Sequence, residues 1–78
     1  MAERNKEAYV LRQAIRHPDY QVRYVAVRLF AAEKDMNHVP ALIFALSDPD
    51  PKIVLVARDG LRFLSRKLDA EILYRISD

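Results

Sequence analysis

The chain has 78 residues, of which 51% are hydrophobic and 31% are charged, and its formal net charge is +2. This length allows one small domain, or part of a larger array, with a modest core. The absence of cysteine excludes disulfides and thiolate metal sites. No apolar run reaches the roughly 18 residues of a membrane span. The polar N-terminus is unlike a signal peptide, and nothing requires an oxidising compartment, so we expect a soluble, cytoplasmic protein.

The first two predicted helices are joined by a proline turn. Residues 4–16 carry apolar side chains at the i, i+3 and i+4 spacing that is typical of a helix. His17-Pro18-Asp19 ends this helix, because a residue before proline is displaced from the helical region. Asp19 is expected to cap a second helix over residues 20–34. The apolar stripe of the second helix is predicted to comprise Val22, Val25, Ala26, Leu29 and Phe30.

A second predicted hairpin follows. Asn37 is the expected cap of a third helix that ends near Ser47, with Pro40 in its first turn. Residues 39–46 have no polar side chain, and a helix that is apolar all round has to be covered on all sides. The turn before the fourth helix contains Asp48 and Asp50, and we interpret both as capping residues.

The fourth helix is predicted over residues 51–67, and Asp69 is expected to cap a short fifth helix over residues 70–76. Gly60 lies in the middle of the fourth helix, where it costs roughly 1 kcal/mol relative to Ala, so we expect a neighbouring backbone to approach it closely. The apolar face of this helix is predicted to comprise Ile53, Val56, Ala57, Gly60, Leu61 and Leu64. No strand pattern is present, and the predicted fold class is all-α.

The two hairpins repeat each other in sequence. Ala14 aligns with Ala45, an offset of 31 residues. At this offset the turn prolines coincide, as do the following aspartates and the apolar positions of the helices. A weaker third copy aligns Ile72 with Leu42, at an offset of 30 residues. The chain is therefore predicted to contain about two and a half units, at residues 4–34, 38–67 and 69–77 of a single domain, 1–78.

This pattern resembles the HEAT-like repeats of the phycobilisome-lyase type. The resemblance is carried by His17-Pro18-Asp19 with Val22, Arg23 and Ala26, and by Asp48-Pro49-Asp50 with Ile53 and Ala57. It implies an α-solenoid of five helices, with first helices on the convex side and second helices on the concave side. It also implies a ladder in which the turn Asp pairs with the following Arg. Val54 replaces that Arg in the second unit. We therefore expect either that Arg23 of the first unit pairs with Asp50, or that Asp50 has no Arg partner.

No catalytic or cofactor motif is recognisable. The chain has two histidines, His17 and His38, without metal-ligand spacing, and His17 is expected to have a turn role. Adjacent His-Glu pairs, through which some HEAT-like enzymes hold iron, do not occur. We therefore expect a non-enzymatic protein with no metal and no cofactor.

The leading functional hypothesis is a protein-interaction module or scaffold that binds a protein segment on its concave second-helix face. Apolar and Arg side chains recur there, and Tyr and Arg are enriched at interfaces. The residues expected to bind are Tyr24, Arg28, Leu55, Arg58 and Arg62. An alternative is that Tyr24 and Leu55 only pack against Arg stems within the array.

Two further interpretations remain open. One is binding of a nucleic-acid backbone, through Arg23, Arg28, Arg58, Arg62 and Arg66. Another is a structural role as a fragment of a longer solenoid, which the half-finished final unit favours. In that case the C-terminal helix, including Tyr74, would present an apolar edge through which the chain could self-associate.

Overall fold

A computed structural model describes residues 9–76, and all of its regular structure is helical, with no strand in that range. Helix α1 covers residues 9–14 of the described range, and α2 is Tyr20–Glu33. A short 3₁₀ helix, Met36–His38, precedes α3, Val39–Ala45, and α4 is Pro51–Ile76. The all-α prediction is confirmed. The predicted start of the first helix and the end of the chain lie outside the described residues.

The two proline turns start their second helices in the same way. The Asp19 side chain accepts a hydrogen bond from the Gln21 backbone N–H at 2.9 Å, and Asp50 accepts one from Lys52 at 3.0 Å. Each carboxylate thus satisfies an N–H that has no partner within its helix. Helix α2 ends at Lys34, whose left-handed backbone (φ 53°) stops the helical path. The predicted caps Asp19 and Asp50 are confirmed, whereas Asp48 does not cap a helix but pairs with Arg23 and accepts the Asp50 N–H.

The cap predicted before the third helix is wrong. Asn37 lies inside the 3₁₀ helix, and its backbone N–H donates at 2.9 Å to the side chain of Asp35. His38 precedes α3 and makes no capping hydrogen bond with its side chain. Because Asp35 already turns the chain two residues earlier, the 3₁₀ helix leads directly into α3 and Asn37 has no capping role.

Helix α4 packs against both α2 and α3, and the core lies between these three helices and the end of α1. At Gly60, an added Cβ would lie 2.9 Å from the Ala31 Cβ and 3.3 Å from Leu42 Cδ1. The close approach predicted for Gly60 is therefore confirmed, and Ala31 on α2 is the residue that approaches it. The buried residues are Ile15, Ala26, Val27, Phe30, Ala41, Leu42, Ala45, Ile53, Ala57 and Leu64.

The predicted apolar stripe of α2 is only partly correct. Ala26 and Phe30 are buried as expected, but Val25 is 56% exposed and Leu29 is 47% exposed. Val27, which is not part of the predicted stripe, is only 1% exposed. The reason is that α4 packs along one side of α2 and takes Val27 into the interior. Val25 and Leu29 lie on the side of α2 away from α4.

The expectation that α3 is covered on all sides is also wrong. Ala41, Leu42 and Ala45 are buried, and Leu42 is completely inaccessible to solvent. The remaining apolar side chains of α3 keep substantial exposure, since the neighbouring helices pack against one side of it only. The exposed side chains are Ile43 and Phe44 of α3 and Leu46, which directly follows it, whereas Val39 is half-buried.

The predicted fifth helix does not exist as a separate element. Helix α4 continues without a break for 26 residues, through the predicted boundary at Asp69, which is an exposed interior position of the helix. No Pro or Gly follows Gly60 in the sequence, and Leu, Lys and Ala near Asp69 favour helix continuation. The predicted half unit at residues 69–77 is therefore, as far as residue 76, the end of α4.

Candidate partner-binding surface

The five residues predicted to bind a partner lie on α2 and α4, which pack side by side. Four of them, Arg28, Leu55, Arg58 and Arg62, are exposed, whereas Tyr24 is half-buried. Residues three or four apart share a helix face, so Leu55, Arg58 and Arg62 follow one another along α4, and Tyr24 and Arg28 do so along α2. We call these five residues the second-helix face. Leu55, Arg58 and Arg62 lie on the side of α4 away from the Gly60–Ala31 contact, so the structure does not bring them together with Tyr24 and Arg28.

Tyr24 and Arg28 form a contact within α2. The Arg28 guanidinium carbon lies 5.7 Å from the centroid of the Tyr24 ring, close enough for a cation–π interaction. The Tyr24 ring also packs against the hydrophobic core. Tyr24 thus has the internal packing role that the alternative interpretation describes, and Arg28 is the more accessible residue of the two.

Leu55 differs from Tyr24, although the two occupy equivalent positions in the repeat. Its side chain is 49% exposed on the surface of α4. Arg58 and Arg62, three and seven residues later, extend the same surface and are exposed as well. The combination provides an accessible apolar side chain next to two guanidinium groups that can each bind a carboxylate or phosphate through two hydrogen bonds.

Arg23 is held in a hydrogen-bond network that joins the two proline turns. Its Nε donates to Asp48 Oδ2 at 2.9 Å and its Nη2 donates to Asp48 Oδ1 at 3.3 Å. Its Nη1 donates to the backbone oxygens of His17 at 2.9 Å and Pro18 at 3.0 Å. This pair is mostly removed from solvent, with 14% exposure of the Arg23 side chain. Arg23 therefore belongs to the structure of the turns and is removed from the set predicted to bind nucleic acid.

The predicted Asp–Arg ladder is only partly correct, because Arg23 has a different partner. Among the described residues, Arg23 pairs with Asp48 of the next turn and not with Asp19, and Asp50 caps α4 without an Arg partner, which is the second of the two expected outcomes. Asp48 also accepts the Asp50 backbone N–H at 2.9 Å. His17, which aligns with Asp48 in the repeat, accepts the Asp19 N–H through Nδ1 at 3.0 Å, so its predicted turn role is confirmed.

Two cation–π contacts between the hairpins were not predicted. The Arg16 guanidinium lies 4.5 Å from the Phe44 ring centroid, and the Lys34 ammonium lies 4.4 Å from the Phe63 ring centroid. Each joins residues that are distant in sequence, so periodicity within one helix gives no indication of them. They place aliphatic stems and charges over rings that would otherwise be more exposed.

His38 packs at the start of α3. Its ring meets the Phe30 ring edge-on, with 4.7 Å between centroids, and its Nε2 lies 3.3 Å from a Glu33 carboxylate oxygen without the geometry of a hydrogen bond. Within residues 9–76, no three His, Asp or Glu side chains are arranged to hold a metal ion. No helix in the same range is long and apolar enough to cross a membrane.

No protein-family model matches the chain, and no curated protein or solved structure matches it either.

Proposed function

We propose that the chain is a non-enzymatic protein-interaction module of the HEAT-like α-solenoid type, which binds a protein segment on the second-helix face. The observation that carries this proposal is the exposed apolar side chain of Leu55, followed along the same face of α4 by Arg58 and Arg62. Burying a Leu side chain in a partner contributes favourable free energy, and Arg is over-represented at interfaces.

The HEAT-like assignment is supported by the equivalence of the two turns. Both use an aspartate to cap the second helix, and the Arg23–Asp48 pair links one turn to the next. Packing of α2 against α4 is the arrangement expected of neighbouring second helices in a solenoid. In this proposal the units are residues 4–34 and 38–67, and the remainder of α4 extends beyond the second unit.

The chemistry of the second-helix face selects the kind of segment it would bind. Along α4, Arg58 and Arg62 present guanidinium donors, and Leu55 presents an apolar contact beside them. A segment with an apolar side chain and carboxylates next to it would complement both features. Because the face is built on helices rather than loops, its side chains are held in place before binding, which lowers the entropic cost of association.

Affinity capture with matched variants tests this function. We expect proteins captured by the wild-type chain to be lost with the double variant Leu55→Ala/Arg58→Glu, because both the apolar contact and a carboxylate-binding group are removed. The matched control is Ile43→Ala/Arg12→Glu, which changes an equally exposed apolar residue and an exposed Arg on α3 and α1. Loss with the control, or retention with the Leu55/Arg58 variant, contradicts the proposal.

Nucleic-acid backbone binding is the second candidate, favoured by exposed Arg58, Arg62 and Arg66 at four-residue spacing along α4. Contacts from these residues to duplex phosphates would make the logarithm of the binding constant fall with the logarithm of salt concentration, with a slope of about −0.9 per phosphate. Titration of a labelled duplex at several salt concentrations measures this slope. A flat dependence, or no binding at low salt, eliminates this function.

The third candidate, a structural role within a longer solenoid, loses one of its supports. The final half unit that suggested it is the end of α4, not a new hairpin. What remains is the exposed apolar side chains along that end, which include Leu68, Ile72 and Leu73.

A further inference from the structure

An uncovered apolar surface lies on the side of the first hairpin that faces away from the second. We call it the N-terminal edge and define it by Leu11 on α1 and by Val22, Val25 and Leu29 on α2. Leu11 and Val22 are half-buried, whereas Val25 and Leu29 are about half exposed. Three of the four also line an open groove of about 380 Å³, together with Ala14 and Ala26 and, at its rim, Asp19 and Gln21.

The repeat shows what this kind of surface does in the second hairpin. At the 31-residue offset, Leu11 corresponds to Leu42 and Val22 to Ile53. Leu42 and Ile53 are both fully buried, and the first hairpin covers this side of the second, as the contact between Ala31 and the Gly60 position shows. The N-terminal edge is therefore a packing surface of the same type whose covering helices are missing from the described part of the chain.

The opposite edge of the stack cannot supply that cover from a second copy. Val27 and Ala31 of the first hairpin are packed toward the second, but their equivalents in the second hairpin are Arg58 and Arg62. Stacking two copies head to tail would press these guanidinium groups onto the apolar N-terminal edge. Burying several charges against an apolar surface is unfavourable, so head-to-tail stacking is disfavoured on electrostatic grounds.

A two-fold arrangement avoids this problem. Val22, Val25 and Leu29 follow the i, i+3, i+7 spacing of a helix–helix seam, and none of them is charged. We propose that two copies of this chain associate through their N-terminal edges, with α2 antiparallel to α2 of the partner copy about a two-fold axis. Such an interface uses the same surface twice and closes on itself. Leu55, Arg58 and Arg62 lie on a different helix, α4, so the association does not depend on the proposed function.

Light scattering coupled to size-exclusion chromatography tests the association. The wild-type chain is expected to have twice the 9.1 kDa mass of one chain. Val25→Glu is expected to reduce the mass to that of one chain, because two carboxylates would be brought together in an apolar interface. The matched control is Leu73→Glu, which changes an even more exposed apolar residue (66%) near the end of α4 and is expected to remain dimeric.

Single cysteines test the symmetry, since the natural chain has none. In a two-fold seam, a cysteine near the axis faces its own copy within disulfide distance, so Val25→Cys or Leu29→Cys should give a covalent dimer on oxidation. Leu55→Cys, on the second-helix face, should not. Circular dichroism verifies that each variant is folded. A monomeric wild type, a dimer that survives Val25→Glu, dissociation by Leu73→Glu, or crosslinking at Leu55→Cys alone overturns the proposal.

Discussion

Gly60 shows how one residue sets the distance between the two hairpins. A Cβ at this position would lie only 2.9 Å from the Cβ of Ala31, an atom attached directly to the α2 backbone. Rotation of a side chain cannot relieve such a contact, so the helices themselves would have to move apart. The absence of a side chain at Gly60 therefore allows α2 and α4 to pack closely, at the expense of helix propensity.

Gly60→Ala is predicted to destabilise the protein. Alanine gains about 1 kcal/mol in helix propensity, but overpacking against Ala31 costs about 1–3 kcal/mol, and we expect the second effect to be larger. Urea denaturation of Gly60→Ala, Ala31→Gly and the double variant measures the coupling between the two positions. A stabilised Gly60→Ala variant would show that α2 and α4 do not approach closely here.

Arg23 and Asp48 form the other critical pair at the residue scale. Removal of the guanidinium leaves a mostly buried carboxylate with only the Asp50 N–H as a partner, and two backbone oxygens lose a donor. We predict that Arg23→Ala lowers the free energy of unfolding by about 2–3 kcal/mol. Arg12→Ala, at an exposed position, is the control and should change it by less than about 0.5 kcal/mol. Equal effects of the two substitutions in thermal denaturation would argue against a structural role for Arg23.

At the scale of single elements, the outcome for Asp19, Asp50 and Asp69, which were all predicted as caps, depends on their neighbours. Asp19 and Asp50 follow prolines in turns, where the preceding residues cannot continue a helix. Asp69 follows Lys67 and Leu68, which favour a helix. It is therefore incorporated into α4 as an exposed interior residue, and the capping signal has no effect there.

Substitution of two aspartates by alanine distinguishes a cap from an interior position. Asp19→Ala removes the acceptor for the Gln21 N–H and is predicted to cost about 1 kcal/mol of stability. Asp69→Ala is predicted to leave stability unchanged or to raise it by a few tenths of a kcal/mol, since alanine is the better helix former. Helix content and unfolding midpoints from circular dichroism measure both effects. A loss of stability with Asp69→Ala similar to that with Asp19→Ala would instead support a separate fifth helix.

At the scale of the whole molecule, the two hairpins share one core. Leu42 is completely buried, touches the Gly60 position, and belongs to the same cluster as Phe30 of the first hairpin. The α2–α4 contact and the Arg23–Asp48 pair add further connections between the hairpins. We therefore expect the hairpins to unfold together rather than one after the other.

Leu42→Ala is predicted to destabilise the whole protein by about 2–5 kcal/mol, because it leaves a cavity at the centre of the shared core. A domain of this size has a small free energy of unfolding, so the variant should be substantially unfolded at room temperature. Leu73→Ala, at an exposed position on α4, should be close to neutral. A Leu42→Ala variant that loses only part of its helical signal, in two separate transitions, would show that the hairpins fold independently.

The amino-acid sequence alone was sufficient for the helical class, the two proline turns, the Asp19 and Asp50 caps and the close approach at Gly60. These features depend on interactions within a few residues, or on the cost of a residue type in a helix, and such effects are the same wherever the segment lies. The internal repeat also indicated correctly that a second hairpin would follow the first.

The buried side of α2, the partner of Arg23 and the unbroken course of α4 depended on how the helices pack. Val27 and Val25 are the same residue type two positions apart, and only the position of α4 buries the first and leaves the second exposed. Arg23 had two turn aspartates within reach in the next unit, and Asp50 was already occupied as a cap. Where two residues have equal local propensity, long-range contacts decide which of them is buried or paired. The free energies of burial and pairing exceed the differences in local helix propensity that a sequence pattern indicates.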